Sequence, residues 1–302
     1  MKRKLLEVNR RIDFSRIKLL VWDINKTLSA DHIFYTPLVA ASIFSMARAM
    51  DDSKARAKFL DMVGKLNTPE TIYQKGRYLL YANGWAHDPE TGLVHKPNGD
   101  IVPASSLPAE VFDPERITTL PDSHVMLRGV ALECGFSPSE CLEFTSKPIT
   151  MAVTSPQIEP GFNDGVYEFL NKYHDLFSSV AVTDNQARIA IRLLDTLGIT
   201  GAFDEIITDQ RKVVFFPQIL VYLMDRYNVN SDEMLVIGDS MRSDMLHPIT
   251  MGIPTLYIEW APTDWPPGVR PSVVASSLNL ALQYIDSKVY HFNPQPRMVQ
   301  VR

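Results

Sequence analysis

The spacing of apolar residues changes along this chain, and the first clear signal lies near the amino terminus. Residues Ile17–Trp22 form an apolar run, IKLLVW, which ends abruptly at Asp23. A run of this length predicts a β-strand that is buried on both faces of a sheet. We therefore expect Asp23 to lie at the end of a buried strand.

A different pattern follows from about residue 31 to residue 151. Apolar residues recur at helical spacing in VAASIFSMARAM (39–50) and ARAKFLDMVGKL (55–66). The segment TIYQKGRYLLYANG (71–84) has the pattern of a third helix that is ended by Gly84. These periods predict a mainly helical region.

A polar passage, rich in Pro and Gly, interrupts the helical region at residues 85–120. Within it, GLVHKPNGDIV (92–102) carries an Asn-Gly turn signal between alternating residues, which predicts a short β-hairpin. Residues 123–134 return to helical spacing, and Gly135 is a helix stop. The helical region is expected to close near Lys147-Pro148.

From Pro160 onward, short apolar runs alternate with amphipathic segments. This alternation predicts an α/β fold with a doubly wound, Rossmann-like parallel sheet, to which Ile17–Trp22 also belongs. The predicted domains are a core of residues 1–30 and 156–302 and an inserted helical domain of residues 31–155. The predicted strands are SSVAV, DEIIT, MLVIG and PTLYIEW, and the predicted helices are NDGVYEFLNKY, NQARIAIRLLDTLG, PQILVYLMDRYN and residues 243–251.

Composition narrows the classes of partner. The chain has 302 residues, of which 45% are hydrophobic and 22% charged, enough for one large and one smaller domain. Its formal net charge of -5 gives no overall attraction to nucleic acid or to an anionic membrane. The basic amino terminus lacks the apolar segment of a signal peptide, so we expect a cytoplasmic protein. Cys134 and Cys141 are spaced too widely for a metal knuckle and are expected to be reduced thiols.

Candidate chemistry lies directly after the predicted strands. In a doubly wound sheet, functional groups gather beyond the carboxyl ends of the strands. The segments at these positions are Asp23–Thr27, Thr183-Asp184-Asn185 and Gly238–Asp244, and Arg211-Lys212 lies near the predicted strand DEIIT. Taken singly, such residues are usually turn formers, helix caps or solvated charges.

The four segments together resemble the signature of the haloacid dehalogenase-like superfamily. They read, in order, as a strand ending in DxxxT, a strand ending in Thr, a downstream Lys and a strand ending in GDSxxSD. The resemblance covers roughly residues 15–30 and 158–260. Residues 31–155 stand where that superfamily inserts its type 1, helical cap. The resemblance implies a magnesium-dependent phosphoryl-transfer enzyme.

Asp23 is the expected nucleophile and also a metal ligand. A carboxylate that attacks a phosphoryl group must overcome repulsion between two anions, which a divalent metal can offset. Asp239 and Asp244 can add the oxygen ligands that Mg²⁺ prefers. By resemblance, the backbone carbonyl of Asn25 would complete the metal site.

The remaining site residues are carried over from the same resemblance. Thr183 would donate its hydroxyl to a phosphoryl oxygen, and Asp184 belongs to the same phosphate-binding turn. Lys212 would offset the charge that develops on the phosphoryl oxygens. The following Pro217 lies farther from Lys212 than is usual, so Arg211 is the alternative cation.

Asn25 departs from the family pattern. In phosphatases of this superfamily the residue two places after the nucleophile is normally an Asp, which acts as general acid and base. Asn has nearly the same shape but cannot titrate. One interpretation is an active enzyme for substrates with good leaving groups, such as acyl, aryl or anhydride phosphates. A second is a catalytically weak protein that binds a phosphorylated ligand or a protein partner, and a third is an engineered isostere that traps a complex.

The inserted domain is expected to select the substrate. A long cap shields the nucleophile, which favours a small phosphorylated metabolite. Arg77, Arg128 and Lys147 are candidates to hold a carboxylate or second phosphate, although each has the ordinary alternative of a solvated charge. Tyr73, Tyr78 and Trp85 are candidates for an apolar wall, with the alternative of core packing. The sequence predicts no particular oligomeric state.

Overall fold

The computed structural model describes residues 6–66, 79–81, 83–89, 91–109, 117–119, 123–154, 161–162, 165–260, 263 and 265–289. The chain divides into two compact units. The first contains Met1–Ala30, Gly161–Pro262 and Pro267–Arg302, and the second contains Asp31–Pro160 and Thr263–Pro266.

The elements are numbered in chain order over the described residues. The strands are β1 (Leu6–Val8), β2 (Leu19–Trp22), β3 (Ser29–Ala30), β4 (Leu79–Tyr81), β5 (Ala86–Asp88), β6 (Leu93–His95), β7 (Ile101–Pro103), β8 (Ile117–Thr119), β9 (Gly161–Phe162), β10 (Ser178–Val182), β11 (Glu205–Ile207), β12 (Met234–Gly238), β13 (Thr255–Ile258) and β14 (Val273–Ala275). The helices are α1 (Asp31–Ala49), α2 (Ser53–Leu66), α3 (Ser123–Glu133), α4 (Pro138–Thr154), α5 (Val166–Tyr173), α6 (Ala187–Thr196), α7 (Lys212–Arg226), α8 (Leu246–Thr250) and α9 (Leu278–Val289).

The first unit is built on a seven-stranded sheet. Its order in the described residues is β1-β14-β13-β12-β2-β10-β11, and all neighbours pair in parallel except β1 with β14. The predicted α/β fold with a parallel sheet is therefore confirmed. The antiparallel edge formed by β1 was not predicted, because LEV is too short to give a periodic signal.

Strand β2 lies inside this sheet, between β10 and β12, and is buried on both faces, as its apolar run predicts. Trp22 is opposite Ala181 of β10 and Ile237 of β12. Leu20 and Trp22 belong to one core cluster together with side chains from α5, α6 and α9. Leu19 and Val21, which alternate with them, are also buried, so side chains cover the strand on both faces. This packing fixes the position of Asp23, which directly follows Trp22.

The second unit contains both helices and a sheet. Helices α1 to α4 surround a cluster that includes Met46, Phe59, Met126 and Cys141. Strands β4 to β8 form a five-stranded antiparallel sheet in the order β7-β6-β5-β4-β8. The predicted hairpin is confirmed, since Val94 of β6 is opposite Val102 of β7.

Cys134 and Cys141 are free thiols, and burial raises the pKa of both, that of Cys141 to about 11.

Two predictions for this unit were wrong. The end of the supposed third helix, residues 79–81, is β4, which pairs with β5 and β8; residues 71–78 lie outside the described residues. A short apolar stretch does not reveal its period, and distant pairing decided between helix and strand. Helix α4 also continues past Pro148 to Thr154. Its packing against α1 and α3 outweighs the local cost of a proline inside a helix.

Helix length and hydropathy bear on membrane insertion. Among the described residues, no helix is both long and apolar enough to cross a membrane.

Candidate active site

The predicted site residues of the first unit lie at one edge of its sheet. Asp23 directly follows β2, and its N–H donates to Ile237 of β12 at 2.9 Å. Thr183 directly follows β10, and its N–H donates to Ile207 of β11 at 2.9 Å. Asp239 follows β12 in the same way. Because parallel strands end on the same side of a sheet, the sheet itself brings these residues together.

The structure groups the carboxylates of Asp23, Asp239 and Asp244. One oxygen from each lies within 4.8 Å of the others. Asp244 is held in place from the loop after β12, because the Ser240 N–H donates to its Oδ2 at 2.9 Å. Gly238 is required for this approach, since an added Cβ would lie 2.5 Å from the Cβ of Asp244.

Lys212 is the cation of this cluster. Its Nζ donates to Asp23 Oδ1 and, at 2.7 Å, to Asp244 Oδ1. Only 3% of its surface is exposed, so the contacts replace water. Arg211, the alternative cation, is exposed and precedes α7 with a left-handed backbone, φ 49°. The structure thus brings Lys212 to the carboxylates.

Burial and charge shift the pKa values of this pair. Burial, the largest cause, raises the pKa of Asp23; the neighbouring Lys212 ammonium lowers it and the Asp244 carboxylate raises it. The net result is a pKa of about 7. Burial alone would lower the pKa of Lys212, but Asp23, Asp244 and Asp184 raise it overall. Lys212 therefore stays charged. The ionised form of Asp23 is disfavoured by burial, and an additional cation would stabilise it.

These residues fit a magnesium ion. They offer oxygen ligands and no sulfur or imidazole, which suits a hard divalent cation. Asp23 Oδ2 is buried and has no hydrogen-bond partner among the residues that the structure describes. A buried carboxylate oxygen without a partner is costly unless a ligand satisfies it. Two of the three carboxylates, those of Asp23 and Asp244, share the single Lys212 ammonium.

Thr183 and Asp184 have different partners. The Thr183 Oγ1 is fully buried and accepts the Asn185 N–H at 3.2 Å, so its own hydrogen can be donated elsewhere. The Asp184 carboxylate accepts the backbone N–H of Lys212 at 2.7 Å. That contact fixes the start of α7, and a phosphate contact from Asp184 would have to come from its backbone.

Asn25 has a partner that the sequence did not predict. Its Oδ1 accepts a hydrogen bond from Asn185 Nδ2 at 3.0 Å, and both side chains are half-buried. The next residue, Lys26, has a left-handed backbone with φ 58°. The carbonyl of Lys26 accepts the Trp260 indole N–H at 2.8 Å. The sequence pointed to Asn185 as a possible site residue, because Asn185 follows closely after a predicted strand. Nothing in the sequence pointed to Trp260.

The candidate substrate residues of the second unit have local partners. The Arg128 Nε donates to Thr145 Oγ1 at 2.8 Å, and the exposed Lys147 pairs with Glu143. Trp85 lies beneath the Lys96 ammonium, which is 4.5 Å from the ring centroid. The other candidates, Arg77, Tyr73 and Tyr78, lie outside the described residues.

Comparisons with known proteins agree with this fold. Residues 144–258 match the family model described as haloacid dehalogenase-like hydrolase. This segment contains Thr183, Lys212, Asp239 and Asp244 but not Asp23. A comparison with curated protein sequences finds no match.

Several solved structures have the same fold. YfnB of Bacillus subtilis, assigned as a HAD-hydrolase and bound to magnesium, has a TM-score of 0.54 at 13% identity, covering 90% of this chain and 99% of its own. A predicted phosphoglycolate phosphatase from Haemophilus somnus 129PT has a TM-score of 0.51 at 12% identity, covering 89% and 98%. A protein assigned as a beta-phosphoglucomutase from Thermotoga maritima has a TM-score of 0.50 at 13% identity, covering 90% and 99%.

At these identities the structural likeness concerns the fold alone. The family match covers residues 144–258, and the chain as a whole has the fold of haloacid dehalogenase-like hydrolases of known structure.

Proposed function

We propose that this chain is a magnesium-dependent phosphoryl-transfer hydrolase that acts on a small phosphorylated metabolite. Asp23 is the nucleophile and forms an aspartyl phosphate. The observation that carries the proposal is the buried pairing of Lys212 with Asp23 and Asp244 beside Asp239. Such a charge cluster at the ends of parallel strands suits an anionic substrate together with a divalent cation.

Three carboxylates and one carbonyl would hold the metal. The ligands are Asp23, Asp239, Asp244 and the backbone carbonyl of Asn25, and the unpartnered Asp23 Oδ2 supports this set. When bound, Mg²⁺ offsets the repulsion between the Asp23 carboxylate and the phosphoryl oxygens.

In the first chemical step, an oxygen of Asp23 attacks the phosphorus. The bond between phosphorus and the leaving oxygen breaks, and that oxygen keeps the bonding electron pair. Thr183 donates a hydrogen bond to a phosphoryl oxygen, and the Lys212 ammonium stabilises the charge on the equatorial oxygens.

In the second step, water attacks the phosphorus of the aspartyl phosphate. The bond to the Asp23 oxygen breaks, the carboxylate is regenerated, and inorganic phosphate leaves. Asn25 cannot accept the proton of this water, so the proton passes to solvent. Asn25 also cannot protonate the leaving oxygen in the first step, so the proposal favours acyl, aryl or anhydride phosphates, whose leaving groups need little protonation.

Asn25 also favours a second candidate function. Without a titrating side chain, general acid and base catalysis of about 10²- to 10⁴-fold is missing. A catalytically weak protein that binds a phosphorylated ligand or a protein partner would need the same cluster of Asp23, Lys212 and Asp244 but little turnover.

A phosphatase assay with 4-nitrophenyl phosphate, with and without Mg²⁺, separates these functions. We expect magnesium-dependent turnover that Asp23→Asn removes and that Asn25→Asp raises by about 10²- to 10⁴-fold. Asp225→Asn, an exposed change on α7, is the control and should leave turnover unchanged.

Turnover that survives Asp23→Asn would rule out this nucleophile. Turnover in Asn25→Asp but not in the unaltered chain would instead favour the binding protein.

A further inference from the structure

The side chains of Asn25 and Asn185 form a directional pair. Asn185 Nδ2 donates to Asn25 Oδ1 at 3.0 Å. The Asn25 amide nitrogen makes no hydrogen bond to any residue that the structure describes. The amide oxygen of Asn25 is therefore already used, whereas its two N–H groups remain to be satisfied.

We propose that Asn185 is a positioning residue that holds Asn25 as a fixed hydrogen-bond donor to the leaving-group oxygen. This inference rests on the proposed phosphoryl transfer. It deepens that function, because it assigns the stabilisation of the departing oxygen to a neutral amide whose direction is set by a second residue.

The backbone of Asn185 is well placed to act as a rigid support. Its N–H donates to Thr183 Oγ1 at 3.2 Å, and its carbonyl accepts the Asp209 N–H at 2.9 Å. Asp209 in turn binds the N–H of Ala187, at the start of α6, through its carboxylate at 3.1 Å. Asn185 belongs to the loop after β10, and these contacts tie that loop to the loop after β11.

The geometry gives Asn25 the hydrogen-bonding character of a protonated carboxyl group. A protonated Asp in this place would accept from Asn185 with one oxygen and donate with the other. Asn25 does the same with its amide, so it can stabilise a departing oxygen but cannot transfer a proton to it. With both amides reversed, the Asn25 carbonyl would face the departing oxygen, and two negative partial charges would repel.

The kinetic test compares the full unaltered chain with Asn185→Ala and Asn185→Asp in the presence of Mg²⁺. Alanine removes the bond that orients Asn25. Aspartate can only accept, so it would turn Asn25 round and point the Asn25 carbonyl at the substrate. The substrates are phenyl phosphate, which has a poor leaving group, and 2,4-dinitrophenyl phosphate, which has a good one.

We expect the loss of kcat/KM, which reports the first chemical step, to depend on the leaving group. Asn185→Asp should slow phenyl phosphate roughly 10- to 100-fold more than it slows the dinitrophenyl ester, because a hydrogen bond to a charged oxygen is lost. Asn185→Ala should lie between the two. Asn171→Asp, the same charge change at an exposed position on α5, should slow neither substrate.

Equal losses of kcat/KM on both substrates would show an effect of charge or folding and would overturn the proposal. So would a loss in Asn185→Ala that exceeds the loss in Asn185→Asp on phenyl phosphate.

Hydrogen exchange of the side-chain amides, followed by NMR without substrate, tests the orientation separately. We expect slowed exchange at the Asn185 amide relative to that of the exposed Asn171, and Asn25→Leu should abolish the slowing. A slowed Asn25 amide beside a freely exchanging Asn185 amide would mean the opposite orientation and refute the inference. A protected Asn185 amide in a chain that turns over neither ester would contradict the proposed function while supporting the orientation.

Discussion

At the scale of single residues, the buried Lys212 ammonium is the feature with the largest expected energetic effect. It pairs with Asp23 and Asp244, and all three side chains are nearly inaccessible to water. Removing one member of a buried ion pair leaves the remaining charges without a partner, which costs more than the pair contributed. Lys212 should therefore affect folding as well as phosphate binding.

We expect Lys212→Met to lower the free energy of unfolding by about 3–5 kcal/mol when no divalent cation is present. Mg²⁺ should restore part of this loss, and should stabilise the variant more than the unaltered chain, because the cation replaces the missing positive charge. Urea unfolding with and without MgCl₂ measures both quantities.

Lys147→Met is the matched control, since Lys147 is exposed and pairs with Glu143 on α4. Its effect should stay below about 1 kcal/mol and should not depend on Mg²⁺. A Lys212→Met variant that behaves like this control would contradict the role given to the buried pair.

At the scale of elements, two glycines set how closely α3 approaches the turn before β5. A Cβ added at Gly129 of α3 would lie 2.5 Å from the Cα of Gly84 and 2.9 Å from the carbonyl of Asn83. Gly84 also has a positive φ of 76°, which other residues rarely adopt. The second unit thus depends on backbone contact between a helix and a turn.

Gly129→Ala should destabilise the chain by about 1–3 kcal/mol, because backbone atoms cannot move aside as a flexible side chain can. Gly64→Ala is the control within α2, where an added Cβ meets nothing within 4 Å. The control should be neutral or stabilise by about 0.4–1 kcal/mol, as alanine favours a helix. Thermal unfolding of both variants measures these changes in stability. A Gly129→Ala variant as stable as Gly64→Ala would disprove the close contact.

The individual strands differ in how well the sequence predicts them. The strands β2, β10, β12 and β13 were predictable because a strand buried on both faces must be apolar throughout. Strand β4 was not, because its three residues gain strand structure from β5 and β8, which lie elsewhere in the chain. The grouping of Asp23, Thr183, Asp239 and Asp244 followed from their places after parallel strands. Asn185 was seen but given no role, since one sequence does not reveal which side chain orients Asn25.

At the scale of the whole molecule, the stability of the first unit should depend on pH through Asp286 of α9. This carboxylate accepts hydrogen bonds from Lys172 and from the Tyr173 hydroxyl, both on α5. Partial burial favours a higher pKa, but these hydrogen bonds and the Lys172 charge lower the pKa of Asp286 overall. A carboxylate whose pKa is lower in the folded state stabilises the fold above its unfolded pKa of about 3.9 and loses that contribution as the pH falls.

Asp286→Asn should therefore reduce the free energy of unfolding at pH 7, by less than about 1 kcal/mol because the pair is partly exposed. The difference from the unaltered chain should shrink below about pH 4 and vanish once Asp286 is protonated in both states. Urea unfolding at pH 7 and pH 3 measures it. Tyr173→Phe should reproduce part of the effect at pH 7, and a difference that persists or grows at pH 3 would exclude this linkage.

The place of β2 between β10 and β12 also bears on how the protein is made. Leu19–Trp22 leave the ribosome well before the strands with which they pair, Ser178–Val182 and Met234–Gly238, are synthesised. At roughly 5–20 residues per second, the strand remains without its partners for about ten seconds or longer during translation. During that time an apolar segment next to Asp23 is available to chaperones and to neighbouring nascent chains. Aggregation during synthesis is therefore the hazard that the position of β2 creates.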